Sequence, residues 1–376
     1  MRQPKICAYV QDCYAKQAYK NECMDTRVFI GLRVIIDSLE RNGYLVEYAG
    51  KATVHQYDYV LVSLTSDCDW WTYISEKMTW RKGNYKVIVG GAGVLHITPF
   101  LPFADYFVWG RGEDVVVKII QGDNYGKSVC QANKFNPSFT YYIQQANNFY
   151  PNAIKFGKDK SYQEMAIGCN HKCFFCGYTW QRQFLSNNEY YAMSDDLFGG
   201  IEDKERAILD MSNNYNEINF SKLRTTAIDG FSERLRMMVN KRISREKLTL
   251  FFKALLNATV QSNVKPHQIK LYNICGYPTE TQDDMFEFLD TLHDADGDIK
   301  IIDKQWSIVL HSTPFRAMPA TPMACSPMSY KNYRGDIAKI LSKGQYKGNI
   351  FYQGMNFWAV ESDSVPMLST AQKFIP

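Results

Sequence analysis

The sequence lacks a long apolar segment, a strong excess of one charge, and internal repeats or low-complexity segments. It contains no uninterrupted apolar run of roughly 18 residues, so no membrane-spanning helix is expected. The N-terminal "MRQPKICAYVQDCY" has no signal-peptide apolar core, so secretion is not expected either. Lys and Arg number 43 against 39 Asp and Glu, which is too balanced to indicate nucleic-acid binding. These absences favour a cytoplasmic globular protein.

The chain is long enough for two domains, with 376 residues of which 45% are hydrophobic. The first part alternates short apolar strands, such as "KICAYV" and "YKVIVGG", with helical segments. Such alternation predicts a doubly wound parallel sheet, in which ligands bind at the carboxyl ends of the strands. Ser63, Thr65, Gly90 and Gly91 stand at such ends.

A segment rich in Asn, Gln, Gly and Tyr follows, and a second αβ region begins near Tyr162. Its repeated strand–helix units predict a full or partial α/β barrel with its site at the strand ends. The predicted organisation is a Rossmann-like domain over 1–122, a connector over 123–160, a barrel over 161–326 and a cap or tail over 327–376.

Three of the ten cysteines lie within eight residues in "GCNHKCFFCG". Cys169, Cys173 and Cys176 are spaced C-x₃-C-x₂-C, and no fourth cysteine is close enough to complete a set of four. Three thiolates can hold three irons of a [4Fe–4S] cluster and leave the fourth iron open. The alternatives are a zinc site that uses His171 as a fourth ligand, or three unrelated cysteines. The remaining cysteines have no metal-ligand spacing.

With Phe175 before its last cysteine, the loop resembles the signature of the radical S-adenosylmethionine (SAM) superfamily. Segments 226–248, 269–284 and 312–323 resemble motifs of the cobalamin-binding group of that superfamily, in the same order. In the last of them Ala320 stands where glycine is usual. The N-terminal region resembles that group's cobalamin-binding domain, although the usual G-E-G-E reads Gly110-Arg111-Gly112-Glu113.

The resemblance implies cofactor contacts by position. Cys169, Cys173 and Cys176 correspond to the cluster ligands, Gly177 lets the loop close, and Phe175 packs near the adenine or the cluster. Asp229 corresponds to an acidic residue that holds the SAM amino group or ribose. For the SAM carboxylate, Arg234 and Arg236 are rival candidates. The resemblance also implies a further set of contacts to SAM: Asn213, Asn214, Ser232 and Gly276. Glu280 shares the strand-end turn near the adenine with Gly276, and its alternative role is that of a helix-start charge.

Cobalamin is implied by the fold resemblance alone, since no D-x-H-x-x-G motif supplies a histidine below the cobalt. Ser63, Thr65, Gly90, Gly91 and Gly110 would line its site. A further group of residues, Trp70, Trp71 and Trp109, would stack on the corrin or fill its place.

The resemblance thus implies an enzyme that cleaves SAM reductively and acts as a cobalamin-dependent methyltransferase on an unactivated carbon. The alternatives are a cobalamin-independent radical rearrangement, oxidation or isomerisation, and a non-catalytic metal-binding module. The substrate class stays open between a small molecule, a peptide and a nucleobase. The implied partner is an external one-electron reductant such as flavodoxin or ferredoxin, and no membrane partner is expected.

Overall fold

The structure is a computed structural model of the whole chain. It describes residues 2–11, 30–65, 69–94, 97–138, 143, 145, 147–155, 161–169, 171–186, 197–200, 225–261, 267–296, 306–318 and 321–327. The predicted contacts Asn213 and Asn214, the substituted position Ala320 and the predicted tail beyond 327 lie outside these residues.

The N-terminal sheet has six strands in the order β2-β1-β3-β4-β5-β6. The strands are β1 (Ile6–Tyr9), β2 (Val46–Ala49), β3 (Tyr59–Ser63), β4 (Lys86–Gly90), β5 (Tyr106–Val108) and β6 (Val129–Gln131). All neighbours pair in parallel except β5 and β6. The order 2-1-3-4-5 is that of flavodoxin-like folds, which confirms the predicted doubly wound sheet. Strand β6 falls in the segment that the sequence analysis assigned to the connector.

Helices cover both faces of this sheet, because alternate strand residues point to opposite sides. Helices α1 (Ile30–Arg41) and α3 (Glu113–Gln121) cover one face of the sheet and bury its side chains, including Ile6, Leu61 and Ile88. Helix α2 (Asp69–Lys77) covers the opposite face and buries its side chains, including Val60 and Val89. Helix α1 ends shortly before Gly43, whose φ of 83° is left-handed.

The second region contains two sheets among the described residues. Strands β7 (Ile154–Lys155), β8 (Ser161–Ile167), β9 (Leu185–Ser186) and β10 (Leu197–Gly200) form an antiparallel sheet centred on β8. Strands β11 (Thr225–Ala227), β12 (His267–Cys275) and β13 (Trp306–Pro314) form a parallel sheet in that order. The described pairings of β8 are all antiparallel, so the predicted barrel is not established and stays a prediction.

The described residues of this region form four helices: α4 (Gly177–Gln181), α5 (Glu233–Met238), α6 (Arg245–Gln261) and α7 (Gln282–Asp296). Helix α7 begins with one of the two bonds of a capping box, since the Thr281 N–H donates to Asp284 Oδ2 at 2.8 Å. Helices α5 to α7 lie between the parallel strands in sequence, as in a βαβ arrangement. In the described part of the chain, no helix has the length and apolar character needed to cross a membrane.

Candidate functional site

The cysteine loop connects β8 to the short helix α4. Gly168 precedes Cys169 with a φ of 70°, and an added Cβ would lie 2.8 Å from the Gln183 carbonyl oxygen. Glycine is therefore required where the chain leaves the strand and enters the loop. Cys176 is the N-cap residue of α4, and Gly177 is its first residue. The three cysteines are thus presented by one tight turn between two regular elements.

The loop is held against the carboxyl ends of the parallel strands by the turn that follows α5. The amide Nδ2 of Asn240 donates to the carbonyl oxygens of His171 and Lys172, each at 3.0 Å. The N–H of Phe174 donates to the Val239 carbonyl at 2.9 Å. These bonds fix the backbone on both sides of Cys173.

Apolar packing supports the same placement. Phe174 and Phe175 pack against a buried cluster that includes Leu235, Tyr277 and Phe315. The ring centroids of Phe175 and Tyr277 are 6.4 Å apart. Phe175 is therefore close to the end of β12, where the resemblance implies the adenine.

Three non-glycine residues have positive φ in the described chain, and all three belong to this site. They are Lys172 at 54°, Asp229 at 52° and Asn240 at 60°. Left-handed backbone is uncommon for non-glycine residues, although Asp and Asn adopt it more readily than most, and it often occurs at functional sites. The concentration of this conformation around the cysteine loop supports a functional role for the loop.

The thiols differ in their surroundings. Cys173 is buried, whereas Cys169 and Cys176 are half-buried, and none of the three forms a disulfide bond. Burial raises the pKa of the Cys173 thiol to about 12, and the positive charge of Lys241 opposes that rise. A bound metal would be needed to keep this sulfur as a thiolate at neutral pH, because metal binding displaces the proton.

Soft thiol donors of this kind suit iron–sulfur ligation, in which each thiolate binds a different iron. A group of three or more His, Cys, Asp or Glu side chains arranged to bind a single metal ion is not found among the residues that the structure describes. Cluster ligation by Cys169, Cys173 and Cys176 therefore stays a prediction from the loop and its donors.

Two strand-end turns border the loop. Asp229 follows β11, and its Oδ2 lies 3.1 Å from the buried Nζ of Lys241. Gly276 follows β12 with a φ of 79°, and its N–H donates to Glu280 Oε2 at 2.9 Å. Tyr277 connects the two turns, since its hydroxyl donates to the Asp229 carbonyl at 2.9 Å. The predicted SAM contacts Asp229 and Gly276 thus lie on neighbouring turns.

Glu280 is more than a helix-start charge. It is 7% exposed, and its Oε2 accepts hydrogen bonds from the N–H groups of Gly276 and Tyr277. Burial raises the pKa of Glu280 to about 7, and these two hydrogen bonds oppose the rise. The carboxyl group therefore fixes the shape of the turn beside Phe175.

The two arginines of α5 have other partners. Arg234 pairs with Asp284 at 2.5 Å and donates to the Thr279 carbonyl at 2.9 Å. Arg236 is fully buried and donates to the carbonyls of Gly230, Phe231 and Ile243 at distances between 2.8 and 3.1 Å. Contact of either guanidinium with SAM stays a prediction, and each would first have to give up these bonds.

Ser232 also has a structural role. It caps α5 by accepting the Leu235 N–H at 3.2 Å, and its hydroxyl donates to Asp284 Oδ1. It is 1% exposed, so it joins α5 to α7 inside the protein. Its predicted contact with SAM is untested.

A second candidate site is a cavity of about 120 Å³ at the strand ends of the N-terminal sheet. It is lined by four of the predicted residues, Ser63, Gly90, Gly91 and Gly110, together with apolar side chains of α1 and α3. Thr65 instead donates through its N–H and hydroxyl to Asp69 Oδ2, at 2.7 and 2.9 Å. Glycine is required at position 91 by the local backbone packing, because an added Cβ would lie 2.3 Å from the Leu64 carbonyl oxygen.

Arg111 crosses this cavity and joins the two regions of the chain. Its guanidinium pairs with Glu113 of α3 and with Glu164 of β8, each at 2.5 Å. Glu164 is 1% exposed, and its second oxygen accepts the Tyr150 N–H at 2.6 Å. The arginine that replaces the usual glutamate thus bridges two carboxylates.

The cavity formed by the described residues is smaller than a corrin. Sites for drug-sized ligands occupy about 300–1,000 Å³, and a corrin with its nucleotide tail is larger still. Trp70 is 1% exposed, stacks on Phe100 and donates to the Gly93 carbonyl at 3.1 Å. Trp109 is 8% exposed and packs in the same hydrophobic cluster as Trp70. Trp71 is half-buried.

Comparisons with known proteins support the fold. The whole chain aligns with a structure of the cobalamin-dependent S-adenosylmethionine radical enzyme OxsB with aqua-cobalamin bound, at 11% identity and a TM-score of 0.50. A structure of the apo, selenomethionine-labelled form of that enzyme aligns over 82% of this chain and 44% of its own, at 10% identity and a TM-score of 0.29. The chain spans 62% of the length of the first structure. No family model and no curated protein sequence matches the chain.

Sequence reasoning missed three residues of the site: Gly168, Asn240 and Lys241. Gly168 directly precedes the first cysteine, where a turn out of a strand was predictable. Asn240 and Lys241 lie in segment 226–248, but nothing in the sequence separates them from the neighbouring arginines. Their importance depends on contacts with a loop about 70 positions away in sequence.

Proposed function

We propose that this protein is a radical SAM enzyme that cleaves SAM at a [4Fe–4S] cluster held by Cys169, Cys173 and Cys176. The observation that carries the proposal is the docking of the cysteine loop onto the turn after α5, with Phe175 packed beside Tyr277, which joins the strand-end turns at Asp229 and Gly276. The fold likeness to a radical SAM enzyme supports it. When bound, such a cluster supplies the electron that splits SAM into methionine and a 5′-deoxyadenosyl radical.

The residues of this chain would position the reactants. Asn240 holds the loop backbone immediately before Cys173, and Phe175 would provide an apolar surface beside the Gly276 turn. Asp229 accepts hydrogen bonds from the amino group or ribose of SAM. The buried cluster around Leu235 and Tyr277 excludes water from one side, which protects a reactive radical from side reactions.

Methyl transfer to an unactivated carbon is the first candidate for the overall reaction. The order of the sequence motifs and the fold likeness to a cobalamin-dependent enzyme favour it. Because the described cavity is smaller than a corrin, no step of that reaction is assigned to a residue.

The second candidate is a cobalamin-independent radical rearrangement, oxidation or isomerisation. The 120 Å³ cavity and the Arg111 bridge across it favour this candidate. The N-terminal domain would then support β8 and the cysteine loop instead of holding a second cofactor. For either candidate, the substrate would be a small molecule, a peptide or a nucleobase, and flavodoxin or ferredoxin would supply the electron.

The proposal is tested by reconstituting the full chain with iron and sulfide without oxygen, then adding dithionite and SAM. We expect 5′-deoxyadenosine and methionine by mass spectrometry, and a Cys173→Ala variant should form neither. Repeating the assay with hydroxocobalamin separates the two candidates, because only the first predicts retention of cobalamin by the chain. A reconstituted wild-type chain that leaves SAM intact would overturn the proposal.

A further inference from the structure

The short helix α4 packs back on the cysteine loop and presents an exposed tryptophan beside it. The indole Nε1–H of Trp180 donates to the Cys173 carbonyl at 2.9 Å, and the hydroxyl of Thr179 donates to the Cys169 carbonyl at 2.8 Å. Trp180 is nevertheless 39% exposed. Its ring is thus bonded to the backbone of the central cysteine while part of it is open to solvent.

Two cations lie at the same part of the loop. The Lys172 Nζ lies 5.6 Å from the centre of the Trp180 ring and donates to the Thr179 carbonyl at 3.0 Å. Arg242 is exposed, and its Nε donates to Asn240 Oδ1 at 3.3 Å. Asn240 in turn donates to the Lys172 carbonyl, so the two cations are joined through one amide. These partners are neutral groups and leave both positive charges in place.

The chain segments that meet at the loop are poor in acidic residues. Three of them contain no Asp or Glu: 165–188, 234–245 and 304–335. The first contains the loop, the second holds it through Asn240, and the third contacts it where the Met323 N–H donates to the Phe174 carbonyl at 3.3 Å. The Asp229 carboxylate nearby is paired with Lys241. Among the described residues, the surroundings of Trp180 therefore carry an excess of positive charge.

The exposed tryptophan and the proposed SAM turn contact different residues of the loop. Trp180 lies beside Phe174, with ring centroids 6.3 Å apart, whereas Phe175 lies beside Tyr277. A protein that covered Trp180 would therefore not have to displace Phe175 from the turn where the proposed function places SAM.

We propose that Lys172, Trp180 and Arg242 form an entry face on which an acidic one-electron carrier protein docks. The inference rests on the proposed function, which needs one electron from outside for each SAM that is cleaved. The carrier loses that electron and the cluster at the loop gains it, and no bond at the three residues forms or breaks. Complementary charge steers such encounters, and tryptophan is enriched among the residues that contribute most to interfaces. Small interfaces are usual for electron transfer.

The first test is carbodiimide cross-linking of the full-length, metal-free chain to flavodoxin. The reagent joins a carboxylate to an amine in contact with it, and Lys172 is the one lysine of segment 165–188. We expect mass spectrometry to find Lys172 joined to flavodoxin carboxylates, and the product should be lost at high salt, which screens the attraction. The exposed Lys82 is the control, because it precedes β4 whereas Gly90 and Arg182 line the cavity at the opposite end of that strand.

The second test follows reduction of the reconstituted chain by flavodoxin or ferredoxin in a stopped-flow instrument. Rates are expressed per cluster that dithionite reduces, so that poor cluster assembly does not imitate poor docking. The Lys172→Glu/Arg242→Glu double variant should react at least about tenfold more slowly at low salt, and with a weaker salt dependence. The Arg81→Glu/Lys82→Glu double variant changes the net charge equally at two exposed positions and should stay near the wild type. Trp180→Ala should slow the reaction at every salt concentration, because it removes contact area instead of charge.

The outcomes separate this inference from the proposed function. A chain whose cluster dithionite reduces but which leaves SAM intact overturns the proposed function, whereas a salt-sensitive cross-link to Lys172 would still support docking. A cluster that dithionite reduces and neither carrier does, or equal carrier-dependent rates in the wild type and the Lys172→Glu/Arg242→Glu variant, overturns the inference alone. So does cross-linking without preference for Lys172, or of Lys172 to a second copy of this chain. If that variant assembles no cluster, the wild-type rate decides, and a rate that does not fall with added salt overturns the inference.

Discussion

Replacing Asn240 tests whether the turn after α5 holds the cysteine loop. Its amide donates two hydrogen bonds of 3.0 Å to the loop, and its φ of 60° is one that alanine adopts poorly. Each hydrogen bond contributes about 0.5–1.5 kcal/mol, and the left-handed backbone costs alanine about 1–2 kcal/mol. Asn240→Ala should therefore favour opening of the loop by about 2–5 kcal/mol.

Asn240→Gly separates the two effects. Glycine accepts the left-handed backbone, so this variant loses only the hydrogen bonds, worth about 1–3 kcal/mol. Since about 1.4 kcal/mol is a factor of ten, the loop should open about 30-fold to several thousandfold more often with alanine, and about 5-fold to 100-fold more often with glycine.

Hydrogen exchange of the metal-free chain measures this opening. Amides of residues 171–176 should exchange faster in both variants, in the order alanine, glycine, wild type, under conditions where exchange follows the opening equilibrium. Amides of β3 and β4 in the N-terminal sheet serve as the internal control and should be unchanged. The reasoning would be refuted if these loop amides exchanged at the wild-type rate in Asn240→Ala, or if they exchanged faster in Asn240→Gly than in Asn240→Ala.

Three further changes have expected outcomes. Glu280 has a pKa of about 7 in the folded chain against an ordinary value of 4.5, so its carboxyl group stabilises the fold below about pH 4.5, and this stabilisation is lost as the pH rises through 7. In denaturant unfolding curves at a series of pH values, Glu280→Gln should therefore reduce the pH dependence of the free energy of unfolding over this range. An unchanged pH dependence would contradict this assignment. Arg111→Met leaves Glu164 buried without its cation and should lower the free energy of unfolding by about 3–5 kcal/mol. Adding Glu164→Gln should recover part of that loss in urea unfolding, and no recovery would argue against the bridge. Gly168→Ala should reduce the iron bound on reconstitution, because the alanine Cβ would lie 2.8 Å from the Gln183 carbonyl oxygen at a φ of 70°. The matched control is Gly31→Ala, whose Cβ would have no neighbour within 4 Å. Equal iron content in the two variants would contradict the assigned role of Gly168.

The N-terminal fold was predictable because its strands are short, apolar and separated by helical segments. Ile6, Leu61 and Ile88 are buried on one face of the sheet, and the residues next to them in each strand are buried on the other face. Because both faces are buried, the strands are continuous hydrophobic runs in the sequence. Strand β6 was missed because it pairs antiparallel at the sheet edge and has only three residues, in a segment with the composition of a linker.

The site was predictable where chemistry depends on local spacing. The cysteine loop and the turns at Asp229 and Gly276 stand out in the sequence, and the structure brings them together. The partners of Arg234, Arg236 and Lys241 were not predictable, because they depend on which side of a short helix faces the loop. Three basic residues within eight positions have similar chemistry, and only their partners in the folded chain separate their roles.

The central claim is that Cys169, Cys173 and Cys176 hold a [4Fe–4S] cluster. Its most direct test is the iron and acid-labile sulfide content of the chain purified without oxygen. The account predicts about four irons and four sulfides per chain, and substantial loss of both in the Cys173→Ala variant. Zinc without sulfide, or equal iron in the wild type and the variant, would contradict it.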